Sequence, residues 1–134
     1  MCIQVKDIIF VKGIKYNLYT TPLDSYWTKK NPKPEIRAVK TSIRRGYVAT
    51  WEISDNCLYL IDMIFYAPVR ERGLNYVFPF NRRKVKADWF TGELQIPIGN
   101  ELHREVMEDT VYDSDWYIKI KKGKVIGDRF QANY

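Results

Sequence analysis

The sequence predicts a mainly β fold, or an α+β fold with little helix, in a single domain over residues 1–134. Runs rich in β-branched and aromatic residues recur along the chain, and turn-forming residues separate several of them. No apolar pattern of helical period extends beyond two turns. A chain of 134 residues suits one domain with its own core. We therefore expect an antiparallel sheet built from hairpins, either as a curved sheet or as an open barrel.

Three hairpins are predicted from a glycine that lies between two β-rich runs and can adopt a positive φ. They are residues 8–19 around Gly13, residues 84–97 around Gly92 and residues 116–127 around Gly123. A short helix is predicted after the first hairpin, where Thr21 precedes Pro22, because proline is favoured in the first helical turn.

The strongest single strand prediction is residues 45–53, which contain valine, threonine, tryptophan, tyrosine and isoleucine. Side chains alternate along a strand, so four residues are expected on one face: Tyr47, Ala49, Trp51 and Ile53. A turn at residues 54–56 then leads into the nearly continuous apolar run of residues 57–65. Such a run is typical of a central strand that is covered on both faces.

Charge is distributed unevenly along the chain, whose formal net charge is +6. Residues 28–45 and residues 70–86 are strongly basic, whereas residues 101–115 are acidic. Two interpretations stay open at this point. The basic segments form a surface that attracts anions, or the acidic segment neutralises one of them within the fold.

A long motif connects three of the predicted strands. It reads RGYVATWEI at residues 45–53, LYL at residues 58–60 and ADWFTGELQIPIG at residues 87–99. This motif resembles a family of small uncharacterised bacterial proteins, and Tyr16-Asn17-Leu18 and Pro22-Leu23 are similar as well. The resemblance implies a shared fold but no activity. After Leu102 the chain departs from the family's pattern, which has a histidine and a Gly-Tyr pair where this chain has Val106-Met107-Glu108-Asp109.

Sequence patterns of catalysis are absent, so we expect no enzyme, no cofactor and no metal. There is no Gly-rich phosphate loop, no GxSxG elbow and no HExxH motif. Cys2, Cys57 and His103 have no partner nearby in the sequence. Glu52 and Asp88 each adjoin a tryptophan and would suit acid–base chemistry if they met, but a strand surface and a turn explain them as well.

We expect a cytoplasmic location and no membrane partner. Two cysteines without a pairing pattern suit a reducing compartment. Residues 1–7 lack the long apolar run of a signal peptide, and no apolar run in the chain approaches the length that spans a bilayer.

Arginines beside aromatic residues give the functional prediction, because a guanidinium matches phosphate and an aromatic face can stack on a base. The predicted ligand-binding residues are Arg44, Arg45, Tyr47, Trp51, Arg82, Arg83, Lys86 and Trp89. We expect a non-enzymatic binding protein for a small phosphorylated, nucleotide-like ligand. The alternative is that these charged side chains are simply solvated and that the aromatic residues beside them belong to the core.

Two other functions compete with the small-ligand prediction. A protein-interaction or inhibitor module would have much the same surface chemistry. A nucleic-acid binder is less favoured, because the sequence has no recognition motif and its acidic segment would repel a long polyanion. A homodimer is a further expectation, since the edges of the predicted hairpins must be covered.

Overall fold

The computed structural model describes residues 6–27, 47–65, 71–72, 84–103 and 111–133. Their secondary structure is nine strands and one short 3-10 helix at Pro22–Ser25, which confirms the mainly β prediction. The strands are β1 (Asp7–Val11), β2 (Ile14–Leu18), β3 (Tyr47–Ser54), β4 (Cys57–Phe65), β5 (Glu71–Arg72), β6 (Val85–Lys86), β7 (Gly92–His103), β8 (Val111–Lys121) and β9 (Lys124–Ala132).

All nine strands belong to one sheet, in the order β2-β1-β3-β4-β9-β8-β7, and β5 and β6 pair with β4. Every neighbouring pair is antiparallel except β1 and β3, which are parallel. The sheet is therefore mixed, where the sequence predicted an antiparallel one. Hairpin signals report only on strands that are adjacent in the chain, and the parallel pair joins strands separated by a long connection.

Three two-residue turns connect β1 to β2, β3 to β4 and β8 to β9. Both residues of each turn have positive φ: 52° and 78° at Lys12-Gly13, 51° and 59° at Asp55-Asn56, and 49° and 80° at Lys122-Gly123. This is the type I′ conformation, whose twist matches that of the flanking strands. The hairpins predicted around Gly13 and Gly123 are confirmed, and so is the turn at residues 54–56.

The hairpin predicted around Gly92 is wrong. The strand before it, β6, pairs with β4 through Tyr59↔Lys86 and Leu60↔Val85, whereas β7 pairs with β8. Gly92 is the first residue of β7 and no turn residue. The segment before Gly92 is hydrogen-bonded to β4 instead, since the Ala87 N–H donates to the Leu58 carbonyl at 2.9 Å.

The two end strands of the sheet, β2 and β7, approach each other. The Tyr19 N–H donates to the Gln95 carbonyl at 2.8 Å, and the Thr20 hydroxyl accepts from the Gln95 N–H at 2.8 Å. Among the described residues no strand ladder joins β2 to β7. The result is a curved sheet that is not closed.

The core lies against the inner face of this curved sheet. Tyr47, Ala49 and Trp51 have no exposed surface, as the alternation along β3 predicts. Strand β4 is central, with β3 on one side and β5, β6 and β9 on the other. The other residues without exposed surface include Ile9, Leu18, Leu23, Leu58, Leu60, Met63, Ala87, Leu94 and Ile96.

Candidate functional site

The predicted ligand-binding residues divide into two groups. Arg44, Arg45, Arg82 and Arg83 lie outside the described residues, so their role stays a prediction. Tyr47, Trp51, Lys86 and Trp89 lie within them. The first two are core residues, Trp89 is half-buried, and Lys86 reaches the surface.

The rings of Tyr47 and Trp51 offer no surface to a ligand where the structure places them, because both are fully buried. The Trp51 ring packs edge-to-face with that of Trp89, with the ring centroids 6.4 Å apart. The two tryptophans thus lie side by side, with Trp51 on β3 and Trp89 in a turn. Trp89 Nε1 donates to the Pro22 carbonyl at 2.9 Å, which ties the 3-10 helix to this cluster.

Asp7 is a buried polar residue that the sequence analysis missed. It has no exposed surface, and its Oδ1 accepts from the Ala49 N–H at 3.1 Å while its Oδ2 accepts from Trp51 Nε1 at 3.0 Å. The alternation of side chains along β1 could have indicated its burial, because Asp7 faces the same way as Ile9 and Val11. Asp7 thus orients the Trp51 ring within the core.

Lys86 lies beside the turn that joins β8 and β9. The Gly123 N–H donates to the Phe90 carbonyl at 3.0 Å, and the Gly123 carbonyl accepts from the Leu58 N–H at 2.8 Å. A Cβ on Gly123 would lie 2.8 Å from the Ala87 carbonyl oxygen, so the backbones approach closely there. The turn is held against β4 and against the segment that carries Lys86.

The lysines around this junction form a surface that we call the basic turn face. Its members are Lys84, Lys86, Lys121, Lys122 and Lys124, and all but Lys86 are exposed. Lys84 Nζ lies 4.2 Å from the centroid of the Tyr59 ring, a cation–π contact. Tyr59 pairs with Lys86 across β4 and β6, which places an aromatic ring between the two lysines.

Within the described part of the chain, most of the positive charge on the basic turn face has no ion-pair partner. Lys86 Nζ lies 3.6 Å from Asp88 Oδ1, and this exposed ion pair contributes little to stability. Within the described residues Lys121, Lys122 and Lys124 form no ion pair. Lys121 and Lys124 are directly opposite each other across β8 and β9, where like charges destabilise a sheet.

The described acids of the segment at residues 101–115 lie at the far end of β8. Asp115 is buried and its Oδ2 accepts from the Asn133 side chain at 2.9 Å. Lys121 follows Asp115 by six positions, which is about 20 Å along a strand. The described acids therefore do not neutralise the basic turn face. Asp115 acts instead on the nearby Tyr117. Partial burial raises the pKa of the Tyr117 phenol, the Asp115 carboxylate raises that pKa further, and Arg129 lowers it.

Glu52 lies two strands away from Lys86 in the sheet, whereas Asp88 forms an ion pair with Lys86. Glu52 pairs with Tyr59 across β3 and β4, and Tyr59 pairs in turn with Lys86. Over the part of the chain that the structure describes, no group of three histidine, cysteine or acidic residues could hold a metal. Cys57 is a free, buried thiol.

Comparisons of this chain with protein-family models, with curated proteins and with solved structures find no match. The resemblance to the small bacterial family accordingly stays a prediction. Within the described ranges, no helix has the length and apolar character needed to cross a membrane.

Proposed function

We propose that the protein is a non-enzymatic binding protein for a small anionic ligand of the phosphorylated, nucleotide-like kind. The observation that supports it is the pair of Lys121 and Lys124, which face each other across the sheet beside Lys122. None of the three lysines forms an ion pair within the described residues. Like charges held opposite each other lower stability, and a bound anion would offset that loss.

The chemistry of the basic turn face suits phosphate oxygens. Each lysine ammonium offers three donors, and a hydrogen bond to a charged group contributes about 1.5–3 kcal/mol. The Tyr59 ring beneath Lys84 supplies an aromatic face. Arg82 and Arg83 directly precede Lys84 in the sequence, and both stay predicted ligand-binding residues. The contribution of Arg44 and Arg45 stays a separate prediction.

The test is calorimetry with mono-, di- and cyclic nucleotides at moderate salt, using a matched pair of variants. Lys122→Asn removes one charge of the basic turn face and keeps a residue that the type I′ turn favours. Lys12→Asn makes the same change in the Lys-Gly turn between β1 and β2. Lys12 lies three strand spacings from Lys124, about 14 Å along the sheet, which exceeds the reach of one phosphate group.

We expect Lys122→Asn to weaken binding at least about tenfold, the loss of about 1.4 kcal/mol, and Lys12→Asn to leave it unchanged. If no nucleotide binds, or if both variants bind as the unchanged protein does, the proposed function is wrong. A nucleic-acid binder behaves differently. Long DNA or RNA would bind with a steep dependence on salt, and both variants would weaken it.

A protein-interaction module is the second candidate, favoured by the largely uncovered strand β9, whose residues 128–132 are all exposed. The cytoplasmic location and the homodimer also remain proposals. The buried free thiol of Cys57 supports the former, and the general need to cover the edges of a sheet supports the latter. Sedimentation velocity over a range of protein concentrations tests the homodimer.

A further inference from the structure

Among the residues that the structure describes, strand β9 is paired along one edge and largely free along the other. It pairs with β8 from Lys124 to Ala132, but its only described pairing with β4 is Cys57↔Lys124. Ile126 is 57% exposed and Phe130 is 64% exposed. A strand with an uncovered edge offers unpaired backbone groups to another chain.

A depression of about 220 Å³ lies on the outer face of the sheet at β9. Gly127 lies directly opposite Lys119 in the β8–β9 pair, and a Cβ at Gly127 would meet nothing within 4 Å. The lining residues are Glu93, Lys119, Ile126, Gly127, Asp128 and Arg129. The missing side chain of Gly127 leaves an open path from the free edge of β9 to Lys119.

Lys119 is an unpaired cation beside this path. Glu93 lies directly opposite Lys119 across β7 and β8, yet its oxygens accept from Arg129 Nε at 3.2 Å and Nη2 at 3.3 Å. Asp128 Oδ2 accepts from Trp116 Nε1 at 2.8 Å. Both acids that line the depression are therefore engaged, and within the described residues Lys119 forms no ion pair.

We infer that β9 accepts an extended segment of another protein as an added strand, with an acidic side chain of that segment opposite Gly127. Backbone hydrogen bonds supply affinity in this mode of recognition, and alternate side chains supply specificity. The added strand would lie two spacings from β8, about 9.6 Å from Lys119. A lysine and a glutamate side chain together span this distance when no side chain stands between them.

The residues next to that acid would be apolar or small. They face the other side of the sheet, where Phe130 stacks on the Trp116 ring with the two rings 4° from parallel and their centroids 5.6 Å apart. The partner is thus a segment in which acidic and apolar residues alternate. This surface is separate from the basic turn face, so the two proposals can fail independently.

The experiment uses capped, fluorescently labelled nine-residue peptides in which glutamate alternates with valine and threonine, and the same peptides with lysine in place of glutamate. Fluorescence anisotropy of each peptide is followed as the full-length protein is added. We expect the glutamate peptides to saturate and the lysine peptides to bind at least about tenfold more weakly.

Three variants locate the binding site. Lys119→Glu should weaken the glutamate peptides at least about tenfold and strengthen the lysine peptides. Gly127→Val places a side chain in the path to Lys119, at a position where a Cβ meets nothing within 4 Å, and should also weaken the glutamate peptides. Lys15→Glu is the matched control. Lys15 is also exposed and forms no ion pair within the described residues, but it lies on β2, which does not pair with β9.

Several outcomes would overturn the inference. One is that no glutamate peptide saturates up to about 1 mM, the limit of weak binding. Another is that Lys15→Glu has the larger effect, which would place the added strand at β2. A third is that sedimentation detects a protein dimer that glutamate peptides do not dissociate and that Lys119→Glu does not alter. A second copy of the protein would then occupy the edge of β9.

Discussion

Asp7 brings a carboxylate into the core, and each of its oxygens accepts a hydrogen bond from β3. The donors are the Ala49 N–H and Trp51 Nε1, both in residues without exposed surface. A buried donor that loses its acceptor costs about 1–3 kcal/mol. Asp7 therefore contributes more to stability than an exposed acid, and it fixes the orientation of the largest ring in the core.

We predict that Asp7→Ala lowers the free energy of unfolding by about 2–6 kcal/mol, because two buried donors lose their acceptor. Urea denaturation measures it. Asp88→Ala is the control, since within the described residues the Asp88 side chain forms only an exposed ion pair with Lys86, and about 0–1 kcal/mol is expected there. Equal losses in the two variants would mean that the hydrogen bonds of Asp7 contribute nothing beyond a surface contact.

At the scale of elements, the two Lys-Gly turns have the same backbone conformation in different surroundings. Gly13 has φ 78° and open space around it, whereas Gly123 has φ 80° and lies against the Ala87 carbonyl. Within the described residues, the turn between β1 and β2 only connects its strands. The turn between β8 and β9 also joins β9 to β4 and to the segment that carries Lys86, through hydrogen bonds with Leu58 and Phe90.

We predict that Gly123→Ala destabilises the protein more than Gly13→Ala. Both variants place an L residue in the left-handed region, which costs about 1–2 kcal/mol. Only Gly123→Ala also brings a Cβ to 2.8 Å from a backbone oxygen, so the turn must shift. Denaturation curves should separate the two variants by at least about 1 kcal/mol. Equal destabilisation would show that the close approach to Ala87 is not rigid.

At the scale of the whole molecule, local signals predicted the parts of the fold that depend on neighbours in the chain. The hairpins around Gly13 and Gly123 and the buried face of β3 follow from turn chemistry and alternation. The parallel pairing of β1 with β3 and the pairing of β6 with β4 depend on contacts between distant segments, which no local pattern encodes. The same limit explains the candidate site, because only the folded sheet brings Lys86 beside Gly123.

The molecule carries a formal net charge of +6. Unpaired lysines on the basic turn face repel each other, so screening should stabilise the fold. Raising sodium chloride from 0.01 M to 0.15 M shortens the Debye length from about 30 Å to about 8 Å. We expect the midpoint of thermal unfolding to rise over this range, and Lys122→Asn to reduce the rise because it removes one of the repelling charges. A midpoint that stays constant or falls would mean that acids neutralise these lysines within the fold, and the proposed anion-binding surface would lose its electrostatic basis.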